Sequence, residues 1–176
     1  SVFDFSYGDE TALFYSRRIG IHEGELARIY GGARLIGRVG GWDLGFLDMQ
    51  TAALEAEGLP SENFGVLRVR RRVFNPNSWV GAMVTSRIGT DGTFNTAYGI
   101  DGIVKLFGDD YLSWNWAQTF ATGKANRAFS LDPAKLRVDW QRRTLEGLGY
   151  DLTFARAGID YEPGMGFEYR TDFSRF

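Results

Sequence analysis

The sequence predicts an all-β fold, an antiparallel up-and-down transmembrane β-barrel with about nine to ten strands present. Three observations carry this. Period-2 patterning recurs along nearly the whole chain. Short and long connections alternate between the patterned runs. The tryptophans gather at one end of the strands.

Composition sets the frame. Glycine supplies 23 of 176 residues, with 15% aromatic residues and only 4 prolines. Typical glycine usage is roughly 7%. Disordered chains are poor in aromatics, and collagen needs a strict glycine period with much proline, so both are excluded. At about 100–200 residues per domain, the length suits one domain or part of one.

The elements follow in order. Val2 to Tyr7, with Phe3, Phe5 and Tyr7 on one side, is a candidate first strand. Residues 8–26 then form a long connection, so 1–26 reads as strand plus loop and 27–173 as an antiparallel meander, the whole 1–176 being a single barrel segment. Strands are expected at 27–39, 42–51, 63–73, 78–88, 95–107, 111–122, 134–143, 147–157 and 165–173.

The alternation is plain in several of them. Val80, Ala82, Val84 and Ile88 oppose Gly81, Met83, Thr85 and Arg87; Leu112, Trp114, Trp116 and Phe120 oppose Ser113, Asn115, Ala117 and Thr119. Each strand thus has an apolar face and a polar or small face. Short turns are expected at Gly40-Gly41, Asn75-Pro76-Asn77, Gly108-Asp109-Asp110 and Arg143-Thr144. Longer connections are expected at 52–62, 89–94, 123–133 and 158–164. Short turns on one side and longer loops on the other are the habit of outer-membrane barrels.

Trp42, Trp79, Trp114, Trp116 and Trp140 all lie near the short-turn ends. A membrane-interface girdle explains this, because an indole can bury its ring and keep its N–H wet. Tryptophans of a sandwich core would prefer mid-strand positions. No run of about 18 apolar residues exists, as a helical span would need. Ser1 to Ser6 lack the basic-then-apolar order of a signal peptide, so a mature, trimmed or fragmentary chain is expected.

If the apolar face meets lipid, the opposite face lines a lumen. Arg68, Arg70, Arg72, Arg87, Asp101, Lys105, Arg137 and Asp139 fall there, with Asp151, Glu168 and Arg170. One reading is a charged lumen that binds anionic or sugar-like solutes. The other is a lattice of mutually neutralising ion pairs, which the interleaved signs favour. The row Arg68, Arg70, Arg72 is the least balanced part. Tyr15, Arg17 and Arg18 form a loop that either folds inward as a plug or stays solvated.

Other chemistry is scarce. Basic residues number 20 against 22 acidic, for a net charge of −2, which offers no nucleic-acid footprint. Cysteine is absent, which excludes disulfides and thiol chemistry. A single histidine, His22, argues against His-based metal sites and Ser-His-Asp catalysis. Asp43 with Asp48, or Asp139 with Asp151, are the carboxylate pairs to consider for glycoside hydrolysis, which needs about 5–10 Å between them. Asp109-Asp110 reads as turn chemistry, and Thr90-Asp91-Gly92-Thr93 offers too few acidic ligands for calcium. No catalytic residue, metal site or cofactor is assigned.

Several strings also carry a resemblance. They are Leu13-Phe14-Tyr15-Ser16-Arg17-Arg18-Ile19-Gly20, Tyr30-Gly31-Gly32-Ala33-Arg34-Leu35-Ile36-Gly37-Arg38-Val39-Gly40, and Trp42-Asp43-Leu44-Gly45. Asp48-Met49-Gln50-Thr51, Asn63-Phe64, Leu67-Arg68-Val69-Arg70-Arg71, Gly166-Phe167 and Arg170-Thr171-Asp172-Phe173 add to them. Together the chain resembles the outer-membrane barrel of domain-of-unknown-function family 5916. That resemblance implies a location in the bacterial outer membrane and the lipid bilayer as partner. It implies a slice of a larger barrel, and a role in solute passage or surface anchoring. Family members usually carry a family 9-like carbohydrate-binding module ahead of the barrel, so a carbohydrate ligand would be held by that absent N-terminal module. Phe176 resembles the terminal aromatic used in barrel assembly, and the family brings no catalytic residues. The alternatives from other classes are a soluble carbohydrate-binding β-sandwich module and a glycoside hydrolase-associated protein.

Overall fold

The computed structural model describes residues 2–5, 12–22, 24–168 and 170–176. Two short strands, β1 (Ile21–His22) and β2 (Glu25–Leu26), form a small hairpin. The main body is one sheet of nine strands: β3 (Ile29–Val39), β4 (Trp42–Thr51), β5 (Glu62–Arg72), β6 (Trp79–Gly89), β7 (Phe94–Lys105), β8 (Asp110–Ala121), β9 (Ala134–Arg142), β10 (Tyr150–Ala157) and β11 (Phe173–Arg175). Every strand pairs antiparallel with its sequence neighbour. The fold is all-β, and β3 and β11 are its two edges.

Turn chemistry fixes the register. Val39 pairs with Trp42 across Gly40-Gly41, where Gly40 takes φ +57°, as a two-residue hairpin requires. The Asn75 side chain accepts from the Asn77 N–H at 3.0 Å and the Ser78 hydroxyl at 2.8 Å, closing the β5–β6 turn. One-sided burial fixes the register again, because a one-residue slip would exchange the two faces of a strand.

The faces differ sharply in chemistry. The covered face carries the N-terminal segment and the β10–β11 connection. Phe3, Phe5, Leu13, Ile19, Tyr161 and Met165 from those segments pack on Leu47, Phe64, Val66, Met83, Ala97 and Ala117 of the sheet. The open face is apolar and faces solvent in the isolated chain: Leu35, Leu44, Phe46, Leu67, Val84, Ile100 and Leu152 are all exposed.

Three expectations are corrected. Residues 2–5 form no strand of the sheet; they lie across its covered face, and Ser6 and Tyr7 fall outside the described residues. Phe3 and Phe5 sit over Gly45 and Gly99, where a Cβ would stand 2.9 Å and 2.7 Å from their rings. Alternation reports one-sided burial, and an extended segment lying on a sheet alternates as a paired strand does. The last strand is Phe173–Arg175 rather than 165–173, since Met165 turns into the core and Phe167 exchanges its backbone hydrogen bonds with Ala12 instead of the sheet. Connection lengths do not alternate strictly: 90–93 is as short as 106–109 on the opposite side and shorter than 73–78 or 143–149 there, with the Gly89 N–H donating to the Thr93 carbonyl at 2.8 Å.

Candidate functional site

The covered face assembles its charges in cross-strand rows. One row runs Arg38, Asp43, Arg70, Gly81, Asp101, Asn115 and Arg137 from β3 to β9, each directly opposite the next. Directly opposed residues share a face, so the register alone brings these groups together.

At its centre lies a fully buried ion pair. Arg68 donates from Nη1 and Nη2 to Asp101 at 2.6 and 2.7 Å, with both side chains completely hidden. Gly81 of the intervening strand makes room, since a Cβ there would lie 2.7 Å from Arg68 Nη1 and 3.0 Å from Asp101 Oδ1. The guanidinium is flanked by the Phe5 ring at 5.6 Å and the Trp79 ring at 5.7 Å. Aromatic faces attract a cation most where water is excluded. Among the described residues the Arg68 Nε finds no hydrogen-bond partner.

Neighbouring charges are paired too. Asp43 accepts from Arg70 at 2.9 and 3.1 Å and from Arg38. Arg87 meets Glu62 in a two-pronged contact at 2.7 and 2.9 Å. Arg137 does the same with Asp139 at 2.8 and 2.7 Å, and Thr153 adds a donor to Asp139 at 2.7 Å. Lys105 lies 5.6 Å from the Tyr111 ring. Arg72 is exposed at the rim, where its backbone N–H donates to the Gly41 carbonyl. All eight residues proposed as lumen-facing thus lie on the covered face. Four of the basic residues are neutralised: Arg68 by a carboxylate two strands away on β7, Arg70 and Arg87 by ones on adjacent strands, and Arg137 by one on its own strand.

The remaining sequence candidates separate. Leu13 and Ile19 of the loop enter the core, while Tyr15, Arg17 and Arg18 between them point outward and are exposed. The segment therefore folds inward and the named residues do not. Trp42, Trp114, Trp116 and Trp140 lie on the open face, whereas Trp79 lies on the covered face against Arg68 and Arg70, at 5.7 and 5.1 Å. Its place at a strand end is the same, but its position is one residue out of phase with the outward set. Asp43 and Asp48 fall on opposite faces. Asp139 and Asp151 share Thr153, and Arg137 and Thr153 together contact both Asp139 oxygens. Among the described residues no cluster of three metal-ligating side chains is assembled.

Sequence reasoning passed over Arg38, Asp43 and Glu62 as partners, and the buried Lys135–Glu168 pair at 2.8 Å. The first was readable: the two-residue turn at 40–41 sets Arg38 opposite Asp43. The Lys135 pair was not, because Glu168 arrives from an irregular connection.

Outside the sheet, Asp91 Oδ1 accepts from the Thr93 N–H at 2.9 Å and the Thr93 hydroxyl at 2.7 Å. The hydroxyl and then the amide hold its carboxyl below the usual carboxylate range.

The open face has a polar margin at the 52–61 end. Asn63 donates to Asp48 at 3.2 Å, and Gln50 donates to Ser61 at 2.8 Å. Comparison with protein-family models, curated proteins and solved structures finds no match to this chain.

Proposed function

We infer that the nine-stranded sheet is wall of a bacterial outer-membrane β-barrel, a slice of a larger one, with lipid against its open face. The observation that carries this is the division of the two faces. Apolar side chains occupy the exposed face across β3 to β10, while the paired charges lie on the covered face, beside the apolar cluster around Phe64 and Met83. A water-soluble sheet would place them the other way round.

The dimensions agree. From Leu112 to Phe120 on β8 the outward run spans about 27 Å at about 3.4 Å per residue. A tilt of about 40° reduces its height to about 21 Å, close to the apolar band of about 25 Å in such barrels. The polar member of that run, Gln118, is held within the protein: it donates to the Arg127 carbonyl at 2.7 Å and accepts from Tyr98 Oη at 3.0 Å and the Phe129 N–H at 3.3 Å. Trp42, Trp114, Trp116 and Trp140 supply the aromatic girdle of this reading.

A filled covered face favours surface anchoring over free solute passage. Residues of the N-terminal segment and the β10–β11 connection occupy the space that solute would need. The resemblance to family 5916 barrels supports the same location, with carbohydrate held by a module outside residues 1–176. Fractionation of the native protein tests the reading. Recovery in the outer membrane with heat-modifiable migration on gels is expected; recovery as a soluble periplasmic protein contradicts it.

A further inference from the structure

Charge on the open face lies at its margins. By register the charged residues there are Asp48, Arg71, Asp110, Arg142 and Arg156. Asp48 accepts from Asn63 at 3.2 Å. Asp110 accepts from the Tyr150 hydroxyl and lies directly opposite Arg142. Arg156 is at the other end of the sheet, opposite Leu136. Arg71 differs from these. It is exposed, and among the described residues its guanidinium meets only the Trp42 ring, at 4.9 Å, directly across the β4–β5 pair. A ring attracts the cation but gives its N–H donors no lone pair.

The register sets what lies beside Arg71. Trp42, Arg71, Val80, Gly102 and Trp114 form one row, each directly opposite the next. The row is low in its middle. Val80 is small and Gly102 has no side chain; a Cβ there would stand 2.5 Å from the Trp114 indole, which leans over it. Next along β6 come the exposed Ala82 and Val84. A shallow apolar trough along β6 therefore starts beside Arg71 and runs toward the middle of the open face.

Two chemistries thus meet at one end of the trough, a cation with free donors and an apolar channel. A guanidinium fork matches the oxygens of a phosphate, and its charge strengthens each contact. At the level of the tryptophan girdle, the anion that a bilayer supplies is the headgroup phosphate, and it comes joined to acyl chains. We propose that Arg71, placed over Trp42, binds the phosphate of a glycerophospholipid, one acyl chain of which lies over Val80, Ala82 and Val84 between Arg71 and Trp114. This rests on the bilayer reading and names the lipid group that one point of the open face holds.

The test titrates the 176-residue chain, in dodecyl maltoside, with dioctanoyl phosphatidylglycerol, followed by calorimetry and phosphorus NMR. Saturable binding is expected. Dioctanoyl glycerol, which lacks the phosphate, and inorganic phosphate, which lacks the chains, should each bind at least about tenfold more weakly. Arg71→Gln should weaken phosphatidylglycerol binding about tenfold, the scale of one charge-assisted contact. Arg71→Lys, a point charge without the fork, should fall between. Ala82→Trp fills the trough, leaves Arg71 in place and should weaken binding as well. Arg143→Gln makes the same charge change at the same end, on a side chain bonded to Gln141 at 3.1 and 3.2 Å, and should leave binding unchanged. Absence of saturable binding, equal binding of dioctanoyl glycerol, or equal effects of Arg71→Gln and Arg143→Gln overturns the proposal. Recovery in the outer membrane alongside any of those results leaves the bilayer reading standing, so the two fail separately.

Discussion

Arg68 and Asp101 meet across an entire intervening strand, at 2.6 and 2.7 Å, in the space that Gly81 leaves empty. Both charges are withdrawn from water, so neither can lose its partner cheaply. Removing one member of a buried pair costs about 3–5 kcal/mol, whereas replacing both with apolar groups of similar volume is often close to neutral. Arg68→Met and Asp101→Leu are each expected to lower stability by that amount. The double variant should recover most of the loss. Urea unfolding in detergent checks this, and two additive single effects would contradict it.

The two glycines beneath the N-terminal segment make a paired prediction. The nearest atoms to a Cβ at Gly45 would be side-chain carbons of Phe3 and Val2, at 2.9 Å each. A Cβ at Gly99 would meet Phe5 but also the Trp116 carbonyl oxygen at 2.4 Å. Gly45→Ala should therefore be rescued by trimming Phe3 to leucine. Gly99→Ala should not be rescued by the same change at Phe5, because strand backbone cannot withdraw. Double-mutant cycles on the unfolding midpoint measure both, with about 1–3 kcal/mol expected for each glycine change alone.

Charge placed on the open face separates a lipid-facing wall from a solvated one. Ile100→Lys lies in the apolar rows, and Ser86→Lys lies at the polar margin. In a bilayer the first is expected to cost about 2–4 kcal/mol and the second about 0–1 kcal/mol. Refolding titrations into vesicles give both values. Equal and small effects would mean that the face meets water.

The Asp91 turn gives a pH dependence with a definite sign. Its carboxyl is held below the ordinary value by the two Thr93 donors. A depressed carboxylate stabilises the fold above its unfolded value, about 3.9, and that contribution is lost as pH falls through the folded value. The Thr93 amide resonance should titrate below pH 3.9 or so, and Asp91→Asn should abolish the titration. A midpoint above the ordinary value would contradict the assigned contacts.

Strands and faces were legible in the sequence because period 2 is a local signal, and one-sided burial enforces it. The eight residues expected to face a lumen fall on one face for that reason. Partner choice was less legible. The Arg38–Asp43 contact follows from the turn at 40–41, but Arg68 reaching Asp101 depends on a glycine in the strand between them, which sequence spacing does not display. Phe3 and Phe5 misled because alternation cannot distinguish a strand within a sheet from a segment lying on it. Trp79 misled because position along a strand and direction across it are separate facts, and only the first was used.

Tryptophan fluorescence tests the membrane account most directly, since the chain carries both kinds of position. Single-tryptophan variants retaining Trp116 or Trp79 would be folded into vesicles of brominated lipid. The account predicts strong quenching of Trp116, on the open face, and little quenching of Trp79, on the covered face beside Arg68 and Arg70. Equal quenching of the two, or quenching of neither, would contradict it.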